Sequence, residues 1–190
     1  GKPFLELDKE EPKNDYAESK YLAEVGLRKI EADTGMEVVI IRPTLVYGFD
    51  APGNFSMLTK LIKKLTFLPF GLCCNKRSFI SVQNLISLLD VCISHPNASG
   101  ETFIASDAVT VSTKEFTNAI AKGLGKPLIN LPVPIVFMRF VGTLIGKSAM
   151  VEQLVCDLEV DSSKTEDLLD WKPPYSMDEI MATLKNGQHY

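Results

Sequence analysis

The sequence predicts an α/β fold, and three observations carry the prediction. Apolar residues recur at helical spacing up to Gly35, and a β-branched stretch at residues 36–42 follows at once. Helical and extended stretches then alternate to the end of the chain. A length of 190 residues, with 45% hydrophobic and 23% charged residues, is ordinary for a globular protein with a real core.

Residues 1–13 form a charged, proline-containing lead-in. After Pro12, either Asn14 or Asp15 can cap a helix whose apolar positions are Tyr21, Leu22, Val25, Leu27 and Ile30. Tyr16 and Lys20 stand one turn apart on it and share a face. A phenol ionises near pH ~10 and becomes a useful base at neutral pH only when a neighbouring cation favours the phenolate. Taken alone, a Tyr-x-x-x-Lys spacing also arises by chance in many helices.

The strand at residues 36–42 runs into Pro43-Thr44-Leu45-Val46-Tyr47-Gly48, and residues 50–53 are turn chemistry. Asn54 is placed to cap a helix to about Leu65, with Phe55, Leu58, Leu61, Ile62 and Leu65 inward. A loop at residues 67–76 leads to Arg77 and a short strand. Ser81 caps a helix with Leu85, Ile86, Leu88, Leu89 and Val91 in the core, and His95-Pro96 ends it. A strand at 101–105 precedes Ser112-x-x-Glu115, a capping box for a helix ending near Gly123 or Gly125. The apolar run 133–146 reads as one helix, and Ser163-x-x-Glu166 and Ser176-x-x-Glu179 open two more.

A formal charge of -4 gives no footprint for nucleic acid, and Lys60, Lys63 and Lys64 read as the solvated side of a helix. Cys73, Cys74, Cys92 and Cys156 show no Cys-x-x-Cys spacing and only two histidines accompany them, so neither a zinc site nor a disulfide framework is supported. Reduced, buried thiols of a cytoplasmic protein are the expectation. The run 133–146 carries Pro134 and Arg139 and is too short for a transmembrane segment. It suits a buried helix or a partner-facing surface, with peripheral membrane contact as the lesser alternative.

Tyr16-x-x-x-Lys20 on a helix, a strand, and then Arg42-Pro43-x-x-Val46-Tyr47-Gly48 resemble the extended short-chain dehydrogenase/reductases. Within them, the NAD-dependent nucleotide-sugar epimerase/dehydratase family fits, with UDP-glucose 4-epimerase-like proteins the nearest type. Arg77-x-Phe79-Ile80-x-Val82-x-Asn84-Leu85 is similar to a further segment of that family. Val160 to Lys164 with Leu169-Asp170-Trp171-Lys172-Pro173 resembles its closing signature, where glycine is more usual than Asp170.

The resemblance implies the C-terminal portion of a doubly wound Rossmann-type domain plus a small α/β substrate-binding subdomain, with the N-terminal nucleotide-binding half missing. Residues 1–48 would be the Rossmann remnant and 49–190 the substrate subdomain, with the strand near 101–105 returning to the Rossmann sheet. It implies Tyr16 as catalytic base and Lys20 as its partner, both also touching cofactor. Pro43, Thr44 and Val46 would flank the cofactor, and Asn54 and Arg77 would bind the diphosphate of a UDP-sugar. The cofactor would be NAD, with NADP as the alternative, held mainly by the missing half, since no Gly-x-Gly-x-x-Gly occurs. On this view the fragment is inactive alone. The family often dimerises through the tyrosine helix, so a homodimer is expected. Leu45 departs from the asparagine of several nucleotide-sugar enzymes, and Phe49 stands where proline often follows. These residues do not separate a 4-epimerase from a 4-ketoreductase, and a catalytically silent lobe that binds a nucleotide sugar or a partner chain stays open.

Overall fold

The computed structural model describes residues 15–186, so the lead-in and the capping role considered for Asn14 lie outside the described residues. Helices and strands interleave along the chain, and the three strand pairings among the described residues are all parallel. Helix α1 (Asp15–Thr34) is followed by β1 (Ile40–Pro43), β2 (Leu45–Tyr47), α2 (Asn54–Lys64), β3 (Phe67–Leu68) and β4 (Phe79–Ser81). Then come α3 (Val82–Ser94), β5 (Thr102–Ala105), α4 (Thr113–Gly123) and β6 (Ile129–Asn130), and the last four helices are α5 (Ile135–Leu144), α6 (Ser148–Val155), α7 (Ser163–Leu169) and α8 (Met177–Asn186).

Strand β1 pairs with β5, β2 with β4, and β3 with β6. The run 40–47 is therefore one extended stretch that changes partner at Thr44. Pro43, at the end of β1, has no N–H to extend a ladder. Thr44 closes the first pairing by donating from both N and Oγ1 to the Ala105 carbonyl, each at 3.0 Å. Just beyond, the Asp107 N–H donates to the Phe79 carbonyl at 2.7 Å, so the two ladders meet.

The strand expected over 36–42 begins later, at Ile40: Met36 and Glu37 are exposed, Val38 accepts from the Gly100 N–H at 2.9 Å, and Val39 packs against the core without joining the ladder. Strand β2 was not foreseen. At three residues it carries no periodicity of its own, and its partner β4 lies 34 positions on, Leu45 facing Phe79.

One core cluster lies between β2, β4, α2, α4 and α8, with Tyr47, Ile62, Ile120 and Met181 fully buried. Its centre is aromatic: Phe79 and Phe116 stack at 3.9 Å between centroids, and Tyr47 meets Phe116 edge-on at 5.7 Å. Such pairs add about 0.5–1.5 kcal/mol each beyond the area they bury. A second cluster joins Ile80, Leu88 and Phe103 to Leu169 and Trp171. Phe55, Leu58 and Ile62 face inward as expected, but Leu65, Ile86 and Leu89 are exposed.

Capping follows the sequence in part. The Ser81 hydroxyl accepts from the Asn84 N–H at 3.1 Å, and Ser112 with Glu115 forms a reciprocal box. Ser176 and Glu179 form another, the Ser176 N–H donating to the carboxylate at 2.8 Å. The box expected at Ser163 does not form: α7 starts after Ser162, and the Ser163 N–H is taken by the Asp161 carboxylate at 2.9 Å. Nor is residues 133–146 one helix followed by irregular chain. Gly146, at φ 67°, ends α5 and its neighbour opens the way to α6, which packs back on α5.

Helix α1 buries no residue. Polar bonds hold it: Arg42 grips Glu24 with Nε at 3.1 Å and Nη2 at 2.6 Å, and Arg28 donates to the Gly100 carbonyl at 2.7 Å and the Thr102 hydroxyl at 2.6 Å.

Charge is unevenly spread. No carboxylate occurs between Asp50 and Asp90 or between Glu115 and Glu152. Those two stretches hold Lys60, Lys63, Lys64, Lys76, Arg77, Lys122, Lys126, Arg139 and Lys147, in a chain whose net charge is -4. They also expose apolar side chains. Met138 and Gly142 face inward on α5, so the opposite stripe of Val136, Phe137, Phe140, Val141 and Leu144 stands in solvent. The paired Phe67 and Ile129 are likewise exposed, together with Leu65 and Leu131.

Candidate functional site

A cavity of about 240 Å³ opens where the extended run changes partner. Thr44, Leu45 and Val46 form one wall, and Asn54, Phe55 and Leu58 of α2 another. Arg77 and Phe79 stand at the start of β4, Thr113 and Phe116 come from α4, and Gln153 and Leu154 come from α6.

Arg77 is the one cation in this lining, and it is buried, with 7% of its surface exposed. Its backbone is clamped by Val111 on both sides, N–H and carbonyl each at 3.0 Å. Its Nη1 donates to the Cys156 carbonyl at 3.0 Å, which fixes the guanidinium plane. Burial pulls its proton affinity below the usual arginine range, and nearby Asp157 pulls the other way. Among the described residues no carboxylate forms an ion pair with it, and the bond to Cys156 is its one side-chain hydrogen bond. A guanidinium so placed is costly unless an anion meets it, and its planar fork suits the two oxygens of a phosphate.

Asn54 lines the same cavity but does not cap α2. Gly53, at φ 77°, is the N-cap, a conformation open to glycine, and Asn54 becomes the first helical residue. In that first turn, backbone N–H groups lack intrahelical acceptors and face any anion favourably. Asn54 and Arg77, 23 positions apart, thus meet because the β2–β4 pairing brings their segments side by side.

Thr44 and Val46 also line the cavity, whereas Pro43 is exposed at the end of β1 and Tyr16 and Lys20 are not part of the lining. On α1 the expected pair does share a face: the Lys20 ammonium lies 5.5 Å from the centroid of the Tyr16 ring. Tyr16 is 73% exposed, so its hydroxyl is open to solvent. The structure therefore assembles Thr44, Val46, Asn54 and Arg77 in one place and Tyr16 with Lys20 in another.

A buried polar node is centred on Asp107 and includes Tyr47, whose ring packs against the lining residues Phe55, Phe79 and Phe116. Asp107 accepts from the Tyr47 hydroxyl at 2.7 Å, the Asn84 amide at 2.7 Å and the Ser81 N–H at 3.3 Å. Asn84 in turn exchanges bonds with the Tyr175 backbone at 2.9 and 3.0 Å. Burial, with the Asp107 charge beside it, raises the Tyr47 phenol far above its ordinary range, so it donates and does not ionise. Sequence reading missed this node, and also Gln153 on α6, because nothing local marks residues that only meet through pairing.

The cysteines are free, but only Cys73 and Cys92 are buried; Cys74 and Cys156 are exposed, contrary to the expectation for all four. Among the described residues no group of three or more His, Cys, Asp or Glu side chains is arranged for a metal ion. No helix among them is long and apolar enough to cross a membrane.

The model of the "NAD dependent epimerase/dehydratase family" matches residues 2–105. The chain is 45% identical over 180 residues to a UDP-glucose 4-epimerase of Vibrio cholerae, covering 94% of this chain and 55% of that protein. A UDP-N-acetylglucosamine 4-epimerase from Bacillus cereus superposes with a TM-score of 0.73 at 18% identity, over 97% of this chain and 58% of that one. A UDP-glucuronic acid 4-epimerase from the same organism, solved with UDP-glucuronic acid and NAD, gives a TM-score of 0.70 at 16% identity, over 98% of this chain and 56% of that one. The chain thus spans little more than half the length of the proteins it matches. The superpositions identify its fold as part of a Rossmann-type α/β domain with its attached α/β lobe.

Proposed function

The chain belongs to the NAD dependent epimerase/dehydratase family, and from that premise we propose that it supplies the sugar-nucleotide half of a UDP-sugar 4-epimerase. The observation that carries this reading is Arg77, a buried cation that forms no ion pair among the described residues, sharing a cavity with Asn54 at the start of a helix. That pairing suits the diphosphate of a nucleotide sugar, and the relatives named above act on such compounds by their descriptions.

In this reading residues 1–48 are the remnant of the dinucleotide-binding domain and 49–190 the substrate lobe. The exposed Tyr16–Lys20 pair and exposed Pro43 fit a cofactor at that side of the chain, with Thr44 and Val46 between it and the sugar. A nicotinamide cofactor, NAD in preference to NADP, supplies the hydride acceptor and donor for sugar C4. Tyr16 Oη takes the proton of the 4-hydroxyl and later returns it. Lys20 places a positive charge beside that phenol and is within reach of a ribose hydroxyl. Arg77 and Asn54 hold the diphosphate while the sugar turns over, so that hydride returns to its other face. If the sugar is taken up as the 4-ketone and a reduced nicotinamide cofactor delivers the hydride and leaves oxidised, the same residues serve a 4-ketoreductase.

Calorimetry with UDP tests the substrate half on this chain. Loss of a buried charge-assisted contact costs about 2–4 kcal/mol, so Arg77→Ala should weaken binding roughly 30-fold or more while Arg77→Lys keeps part of it. Binding heat unchanged by Arg77→Ala removes the residue from the site. Joined to the part of the Vibrio relative outside the match, the chain should interconvert UDP-sugars with NAD, and Tyr16→Phe should abolish that. Turnover that survives the change excludes Tyr16 as the base.

A further inference from the structure

We propose that Asn75 is a positioning residue for Arg77, because it holds the carbonyl that fixes the guanidinium plane. The identity of the anion rests on the sugar-nucleotide reading; the positioning does not. Asn75 stands in the stretch before β4, where no local pattern marks it, yet it is only 8% exposed. Its Nδ2 donates to the carbonyls of Leu154 and Cys156, each at 3.1 Å, with the Thr113 hydroxyl at 3.2 Å as a third acceptor. Its Oδ1 accepts from the Thr113 N–H at 3.1 Å. One side chain thereby ties the segment that carries Arg77 to the start of α4 and the end of α6.

The Cys156 carbonyl is the shared point. It accepts from Asn75 Nδ2 and, at 3.0 Å, from Arg77 Nη1. Backbone bonds flank it: the Cys156 N–H donates to the Glu152 carbonyl at 3.0 Å, and the Leu158 N–H to the Lys76 carbonyl at 2.8 Å. Neither belongs to the peptide group that bears the Cys156 carbonyl, so the Asn75 amide is what aims it. That amide takes one lone-pair direction and leaves the other to the guanidinium. Thr113 repeats the tie to α6 by donating its hydroxyl to the Leu154 carbonyl, so loss of Asn75 frees the Cys156 carbonyl while α6 stays docked.

A fixed plane matters because a guanidinium meets two phosphate oxygens at once only when its fork faces them. An arginine free to swing keeps its charge and loses that geometry, and a misplacement of about 1 Å can cost on the order of a hundredfold. An ammonium has no plane to hold. Dependence on Asn75 is therefore specific to arginine at position 77, which separates positioning from general support of the fold.

Guanidinium NMR and UDP calorimetry on this chain test the proposal. In the isotope-labelled parent, Arg77, assigned by its loss in Arg77→Lys, should give separate Nη1 and Nη2 signals, as a guanidinium held against rotation does. Asn75→Ala should merge them and weaken UDP roughly tenfold or more. On the Arg77→Lys chain the same change should alter UDP binding by less than about twofold. If Asn75→Ala does not fold, Asn75→Asp, which keeps the shape and the acceptor for the Thr113 N–H, takes its place in the calorimetry. Merged Nη signals in the parent overturn the proposal, and so do signals that stay separate in Asn75→Ala. Equal loss of UDP affinity on the arginine and lysine chains also overturns it, as does UDP binding that Arg77→Ala weakens and the Asn75 variants do not. UDP binding that neither Arg77→Ala nor the Asn75 variants weaken sinks the sugar-nucleotide reading instead, and the Arg77 signals then decide the positioning on their own.

Discussion

Gly123→Ala should unfold this protein more readily, although in most helices the same change is favourable. Gly123 is the last residue of α4, where α8 crosses it. A methyl group there would run into the Met181 carbonyl oxygen, would stand 2.7 Å from the carbonyl carbon and would stand 3.0 Å from the Met181 Cβ. Carbon atoms settle at ~3.5–4.0 Å, so α8 must retreat by about 1 Å or α4 must bend. The obstacle is backbone in the middle of a helix, which cannot swing aside as a side-chain tip can. Overpacking of this kind costs about 1–3 kcal/mol or more, and the helix-propensity gain of at most ~1 kcal/mol is reduced at a terminal position. A net loss of about 2 kcal/mol, at a urea slope of ~2 kcal/mol per molar, moves the unfolding midpoint down by about 1 M. Gly26→Ala is the control, because nothing lies within 4 Å of the added atom in α1. Urea titration followed by Trp171 fluorescence reads both. A Gly123→Ala midpoint equal to or above the parent's would refute the claim that α4 and α8 touch backbone to backbone.

The remaining expectations concern charge, caps and one strained residue. Burial is the main cause that raises the Asp107 carboxyl, outweighing its bonds from Asn84, Tyr47 and Ser81. Its folded value lies above the unfolded one near ~3.9, so its contribution to stability is present below that value and is lost as pH rises through the folded value. Asp107→Asn keeps the shape without the charge. Its stability relative to the parent should therefore climb over that window, as measured by urea unfolding from acid to neutral pH. Ser112→Ala removes half of a complete capping box and should cost about 1 kcal/mol, seen as a lower thermal midpoint. Asp170 sits at φ 47° where it ends α7, so Asp170→Gly should raise the midpoint by about 0.5–1 kcal/mol of stability.

Asp170 also shows how much the sequence could tell. Glycine is usual at that place in the closing signature because the helix end is left-handed, and aspartate is among the few other residues that tolerate it. Features written in a few adjacent residues were legible: the Ser81 cap, the boxes at Ser112 and Ser176, and the helix running on from Asn54. Those that depend on distant partners were not. Nothing near Leu45 announces that it will face Phe79, and nothing near Asp107 announces Tyr47 and Asn84. Helix α6 was lost because Gly146-Lys147-Ser148 reads as the end of an apolar run and not as a hinge between two packed helices. Of the residues that line the cavity, Asn54, Arg77, Thr44 and Val46 stand in stretches whose pattern is legible locally, whereas Gln153 and Leu154 reach it on α6, which no local pattern announces.

The stretch from Ile40 to Tyr47 belongs to two ladders at once, and Thr44 is the stitch between them. A molecule lodged against Thr44 and Val46 would touch both ladders at once, since Thr44 bonds the Ala105 carbonyl at the end of one and Val46 pairs with Ile80 in the other.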